Sequence, residues 1–230
     1  MSTLKLQVEE GKKGKKFAAV ARDWPGLSRG GKTAEKAIET VYAYVPRYAP
    51  VADLAGLGDE FATITDYSIV EEYTGTGSTD YWGISFGHSD FDKTAMSEAE
   101  LDRNLALLQA SWAYFDEVRA RVSPILMKGP RGGGKDRDQI VRHTIGAEQD
   151  MAWKVGIQEE WDGLLEPDRL ETYSTNFVAA IRAYHAEGKM GRNWPLRFVI
   201  RHTAFHTLDH TWEMEDKDLT GTEGAQAAGT

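Results

Sequence analysis

The sequence predicts an α+β unit over residues 1–90, an all-α up-down four-helix bundle over 91–218 and a flexible tail over 219–230. Three observations carry this reading. Short period-two apolar runs separated by turn residues dominate the first part of the chain. Segments with 3.6-residue periodicity replace them beyond Phe91. The composition, 41% hydrophobic and 10% aromatic over 230 residues, is that of a folded chain able to bury a core.

In the first part, Leu4 to Val8 alternates, Gly11-Lys-Lys-Gly14 forms a turn, and Phe17 to Ala21 is a second apolar run, which together predict a β-hairpin. Trp24-Pro-Gly26 is a further turn. Thr33 caps a helix that places Ala34, Ala37, Ile38 and Val41 on one face and breaks near Pro46. Ile64 to Tyr73 and Tyr81 to Phe86 read as short strands on either side of the Gly/Thr/Ser-rich run Thr74 to Thr79.

In the second part, Ser97 with Glu100 is a capping box. It opens a helix whose apolar stripe is Leu101, Leu105, Leu108, Trp112, Phe115 and Val118, ending near Val122. Further helices are predicted at about 135–155, 168–187 and 194–217, with Gly188 and Gly191 as stop signals. Four helices of this length close one core, so a bundle is the economical arrangement. Trp153, Trp161, Trp194 and Trp212 are expected to pack in cores or interfaces.

Composition narrows the function classes. With no cysteine, the chain has no disulfide, no cysteine zinc cluster, no iron–sulfur site and no thiol nucleophile. Any bound metal must be held by histidines and carboxylates. There is no apolar run of membrane-spanning length and no signal-peptide core after Met1, so a cytoplasmic protein without a membrane partner is expected. The net charge is −9, yet residues 1–36 are locally basic. The Lys12-Lys13-Gly14-Lys15-Lys16 turn offers phosphate contacts, but no aromatic stacking motif flanks it and the remainder is acidic. Nucleic-acid binding is therefore not expected.

The densest chemical signal is the series His202, His206, His210 on the last predicted helix. Spacings of four set successive imidazoles one turn apart on a common face, within reach of one metal ion. His143 on the second long helix is a candidate ligand from across an antiparallel bundle. Asp209 and Glu213 share roughly the same face and are candidates to accept an outer imidazole N–H. Glu148, just over one turn beyond His143, is a candidate acid or base, as are, more weakly, Asp150, Glu159 and Glu160. Gly129 to Lys135 fits G-x-x-x-x-G-K, but Asp136 replaces the Ser or Thr a P-loop needs and a helix precedes it. It reads as an interhelical loop in which Asp136 or Asp138 caps the next helix. No G-x-S-x-G elbow is present.

His143-Thr-Ile-Gly-Ala-Glu148 together with Phe205-His206-Thr-Leu-Asp-His210-Thr-Trp-Glu-Met-Glu-Asp216 resembles the DinB-like superfamily of metal-binding four-helix bundles, over about residues 91–218. The resemblance implies a three-histidine site with one ligand from the second helix, His143, and a pair from the last, His206 and His210; His202 with His206 is the alternative register. It also implies a divalent metal ion, zinc or nickel foremost, and a low-molecular-weight thiol such as mycothiol or bacillithiol as cofactor of a transferase or isomerase. More weakly, Phe17 to Gly30 followed by Thr33 to Ala37 resembles the start of HicB-like antitoxin domains, which have a partial double-stranded-RNA-binding topology.

Two functions follow as expectations. The first is a divalent-metal-dependent enzyme, a thiol-dependent transferase or isomerase or else a hydrolase, acting on a small molecule, with room for a homodimer. The second is a non-catalytic binding or regulatory module with an antitoxin-like first part and a structural or dimerising bundle.

Overall fold

The computed structural model of the chain describes residues 2–129, 133–159 and 166–220. Glu160, Trp161, residues 130–132 of the Gly-rich loop and residues 221–230 of the tail lie outside the described residues. The fold is α+β: a four-stranded mixed sheet and seven α-helices among the described residues.

The strands are β1 (Ser2–Glu10), β2 (Phe17–Ala21), β3 (Ser28–Gly31) and β4 (Ile64–Thr74), in the spatial order β3-β2-β1-β4. β1 and β2 form the expected hairpin, antiparallel, with Leu6 opposite Ala21 and Glu10 opposite Phe17. β4 returns parallel to β1 after a helical crossover, α1 (Ala34–Leu54) and the short α2 (Gly58–Phe61). β3 has no hydrophobic alternation to announce it, since Ser28-Arg-Gly-Gly31 is polar and small. Gly26 in the β2–β3 turn is required twice over. Its φ is +95°, and a Cβ there would lie 2.7 Å from Leu208 Cδ1.

α1 does not break at Pro46. It continues through Pro46 and Pro50 to Leu54, although each proline removes a helical hydrogen bond. Residues beyond the first proline offset that cost by burial: Tyr48, Val51 and Ala52 are inaccessible. The Tyr48 hydroxyl also donates to Pro25 O at 2.7 Å, tying the helix to the β2–β3 turn. The strand expected at Tyr81–Phe86 is absent as well. Its first residues belong to α3 (Gly77–Trp82), capped reciprocally by Thr76 and Thr79 and closed by Gly83 at φ +76°. The Thr/Gly-rich run is therefore a helix start, because its hydroxyls satisfy the first amides.

The long helices are α4 (Glu98–Arg121), α5 (Arg137–Ala152), α6 (Pro167–Ala186) and α7 (Leu196–Asp216). The Ser97–Glu100 capping box is formed, and Asp136 is the N-cap of α5, its amide donating to Gln139 Oε1 at 2.9 Å. α7 packs against α4 and α5, while α6 meets α4 through Trp112 with Phe177 and through Arg182 with Asp102. α4 is buried beyond its expected stripe, at Leu107, Ala110 and Tyr114 as well, because α1 also lies against it. α7 is buried nearly all round, and its buried residues include Arg197, Arg201, His202 and three threonines as well as apolar side chains. The buried apolar residues before and after residue 90 form one continuous cluster. No described helix is long and apolar enough to cross a membrane.

Polar groups also bridge the two parts of the chain. Arg201 on α7 forms a bidentate pair with Asp92, at 2.8 and 2.7 Å, and donates to Ser85 Oγ and Gly87 O. Glu9, fully buried on β1, accepts from Thr79, Ser85, Tyr73 and the amides of Phe86 and Gly87. The Arg201 guanidinium is the cation that balances these buried carboxylates.

Candidate metal centre

Helical spacing sets up the site. His206 and His210 are four residues apart on α7, and His143 comes from α5, which packs against that face. The three ring centroids are 4.7, 4.8 and 5.3 Å apart. One ligand atom from each lies within 4.8 Å of the others, a group that could hold a metal ion. Ligand nitrogens around one ion need separations under twice a bond of roughly 2.0–2.1 Å each, so the rings draw closer together to bind one.

The electrostatics favour the neutral form of two of the donors, His206 and His143. Burial, then the neighbouring His210 and His143 rings, push His206 down to about 2. Burial, then His210 and Lys135, also lower His143. Neutral imidazoles are what a metal requires. His206 Nδ1 is buried without a hydrogen-bond partner, and a cation satisfies such a nitrogen. His210 Nδ1 is 2.7 Å from Glu213 Oε2. Glu213 is pushed down to about 2, first by that bond, and its other oxygen takes Lys217. The carboxylate is thus an ionised acceptor, which makes Nδ1 the donor and leaves Nε2 as the ligand atom of His210. The donor set therefore fits a divalent ion held by imidazoles, with zinc, nickel, iron and copper all suited.

The other sequence candidates fall elsewhere. His202 lies outside the group: it is buried, stacked on Phe198 at 5.0 Å and surrounded by Trp194, Phe86 and Phe205. Asp209 faces away from the imidazoles and pairs with Arg29 of β3, because residue 209 is rotated off the 206/210 face. Glu148 is 7% exposed and accepts from Trp112 Nε1 at 2.7 Å. It lines a cavity of about 50 Å³ with Thr144 and Thr207, and burial pushes it up to about 8. Asp150 and Glu159 are exposed. His185 bonds Met96 O and His88 packs on Phe198. Trp212 is buried as expected, whereas Trp153 is 41% exposed beneath the Arg192 guanidinium.

Sequence reasoning missed Arg29 and Lys217. Lys217 was legible as the i+4 partner of Glu213. Arg29 was not: it reaches from β3 across Tyr44 and Trp212, at 3.9 and 4.4 Å from their ring centroids. With Tyr44, Trp212, Glu213 and Lys217 it lines a recess of about 280 Å³ beside the carboxylate that holds His210. Comparison with family models, with curated proteins and with solved structures found no match to this chain.

Proposed function

We propose that the chain is a divalent-metal-dependent enzyme of DinB-like type, its four long helices an up-down bundle and its first part a HicB-like unit. The observation that carries the reading is the convergence of His143, His206 and His210 from two helices, ligand atoms within 4.8 Å. Three protein ligands with a further position for water or substrate is the pattern of a catalytic zinc site rather than a structural one.

A zinc or nickel ion bound there would supply a Lewis acid that lowers the pKa of a coordinated water or thiol. The chain has no cysteine, so the thiol is a small molecule. The protein's own part is positional. Glu213 holds the His210 ring through Nδ1, and Lys217 holds Glu213. The recess walled by Tyr44, Trp212 and Arg29 receives a small-molecule substrate next to this pair, with Asp209 fixing Arg29. The reaction is a thiol-dependent transfer or isomerisation.

The test is a turnover screen of electrophiles with the zinc- or nickel-loaded protein and mycothiol, bacillithiol or glutathione. Turnover that requires both ion and thiol supports the reading. A stoichiometrically loaded protein that turns over none of them overturns it in favour of a non-catalytic module.

A further inference from the structure

An exposed pair of aromatic rings from a distant segment lies beside the Lys12–Lys16 turn. α3 lies against the hairpin and presents Tyr81 and Trp82, 70% and 64% exposed, with rings in edge contact at 4.6 Å. Leaving two large aromatic side chains in water forgoes the burial that normally holds them.

The tip is built rather than frayed. Asp80 of α3 accepts the amides of Lys13 and Lys15 at 2.7 and 2.8 Å. Lys16 Nζ donates to Tyr81 O at 2.6 Å, and the Lys12 amide reaches Thr76 O. Gly30 completes the fit, because a Cβ there would lie 1.8 Å from Gly83 O. Lys12, Lys13 and Lys15 are exposed, and among the described residues no carboxylate forms a close ion pair with their ammonium groups, although the Lys15 charge acts on Asp80. The carboxylates at the tip are Asp80, occupied by the amides, and Glu10.

We propose that this hairpin–α3 tip is a docking surface for single-stranded nucleic acid, the lysines taking phosphates and Tyr81 and Trp82 taking unpaired bases. Such a combination of cations and exposed rings is how single strands are bound without sequence readout. A duplex keeps its bases stacked on one another and offers the rings nothing. A flat anionic membrane fits less well, because the surface beside the tip is acidic. β4 ends there, with Thr74 opposite Glu10, and carries Glu71 and Glu72. A strand is narrow enough to touch only the patch, and beyond a screening length of about 8 Å the acidic remainder matters little.

The experiment titrates the full chain against a labelled oligouridylate of about 12 nucleotides, reading anisotropy and tryptophan fluorescence across a salt series. Expected is binding with a log–log salt slope of about −2 to −3, abolished in the duplex of the same length. Trp82→Ala weakens it by about 10-fold, and Lys12→Gln with Lys13→Gln lowers the slope by about 1.4. Unchanged thermal melts of these surface variants show that the fold is kept. Three results overturn the proposal: no binding in about 50 mM salt, binding indifferent to both variants, or binding only to vesicles of anionic lipid, which assigns the tip to a membrane surface.

Discussion

Glu213 accepts the Nδ1 proton of His210 at 2.7 Å, and this bond decides which nitrogen of His210 faces His143 and His206. The carboxylate stays ionised because it is held by His210 on one oxygen and Lys217 on the other. Glu213→Gln keeps the size of the side chain and removes its charge. Metal affinity is expected to fall about 10- to 100-fold, with an unchanged circular dichroism melt. Affinity equal to wild type in a competition titration would show that the carboxylate does not orient the ligand.

Glu148 is predicted to make the protein less stable in alkali. Burial raises its folded pKa to about 8 from 4.5, so its contribution is complete below 4.5 and is lost as pH rises through about 8. Each pKa unit is about 1.4 kcal/mol. Glu148→Gln retains an acceptor for Trp112 Nε1 and does not titrate. Urea melts between these limits should therefore show a smaller loss for the variant; parallel pH curves would contradict this.

His202 acts on the acid side. Burial, then Arg201, push it down to about 3 in the folded state. The unfolded chain protonates near about 6.5, so stability falls as pH drops from there toward 3. His206 adds a loss of the same sign in the metal-free protein. His202→Phe suits the aromatic surroundings, should flatten this decline and should leave metal stoichiometry unchanged. Loss of metal in this variant would place the ligands one turn earlier on α7.

The Arg201–Asp92 pair should be one of the costliest polar contacts to break. Burial alone would raise Asp92, but the charge and hydrogen bonds of Arg201 outweigh it and hold the carboxyl below its ordinary range. Arg201→Met leaves Asp92 and Glu9 buried without their cation, at a cost of about 3–5 kcal/mol. Chemical denaturation reads this directly. A change under about 1 kcal/mol would mean that water or local rearrangement solvates these carboxylates.

What the sequence made legible was what depends on local chemistry. The hairpin, the Ser97 capping box, the four long helices and the 206/210 pair all follow from periodicity, capping and a spacing of four. What it hid depends on packing between distant segments. α1 runs through Pro46 because Tyr48 and Val51 are buried beyond it, and no local rule reveals that burial. Tyr81 to Phe86 has strand-like composition, but the Thr76–Thr79 cap claims its start for α3. Gln7 and Glu9 alternate with Leu6 and Val8 as solvent-facing residues should, yet the 85–92 segment and Arg201 cover them. Asp209 and Glu213 looked equivalent on a helical wheel; Arg29, 180 positions away in sequence, takes one and leaves the other for His210.

Metal content of the purified protein and its single-alanine variants, measured without a histidine tag, tests the central claim most directly. His143→Ala, His206→Ala and His210→Ala should each lose most of the bound ion, because two imidazoles remain. His88→Ala, His185→Ala and His202→Ala should bind as wild type, since those rings lie outside the group. A stoichiometric ion lost only in the first three variants is the predicted result, and equal occupancy across all six would contradict the three-histidine centre.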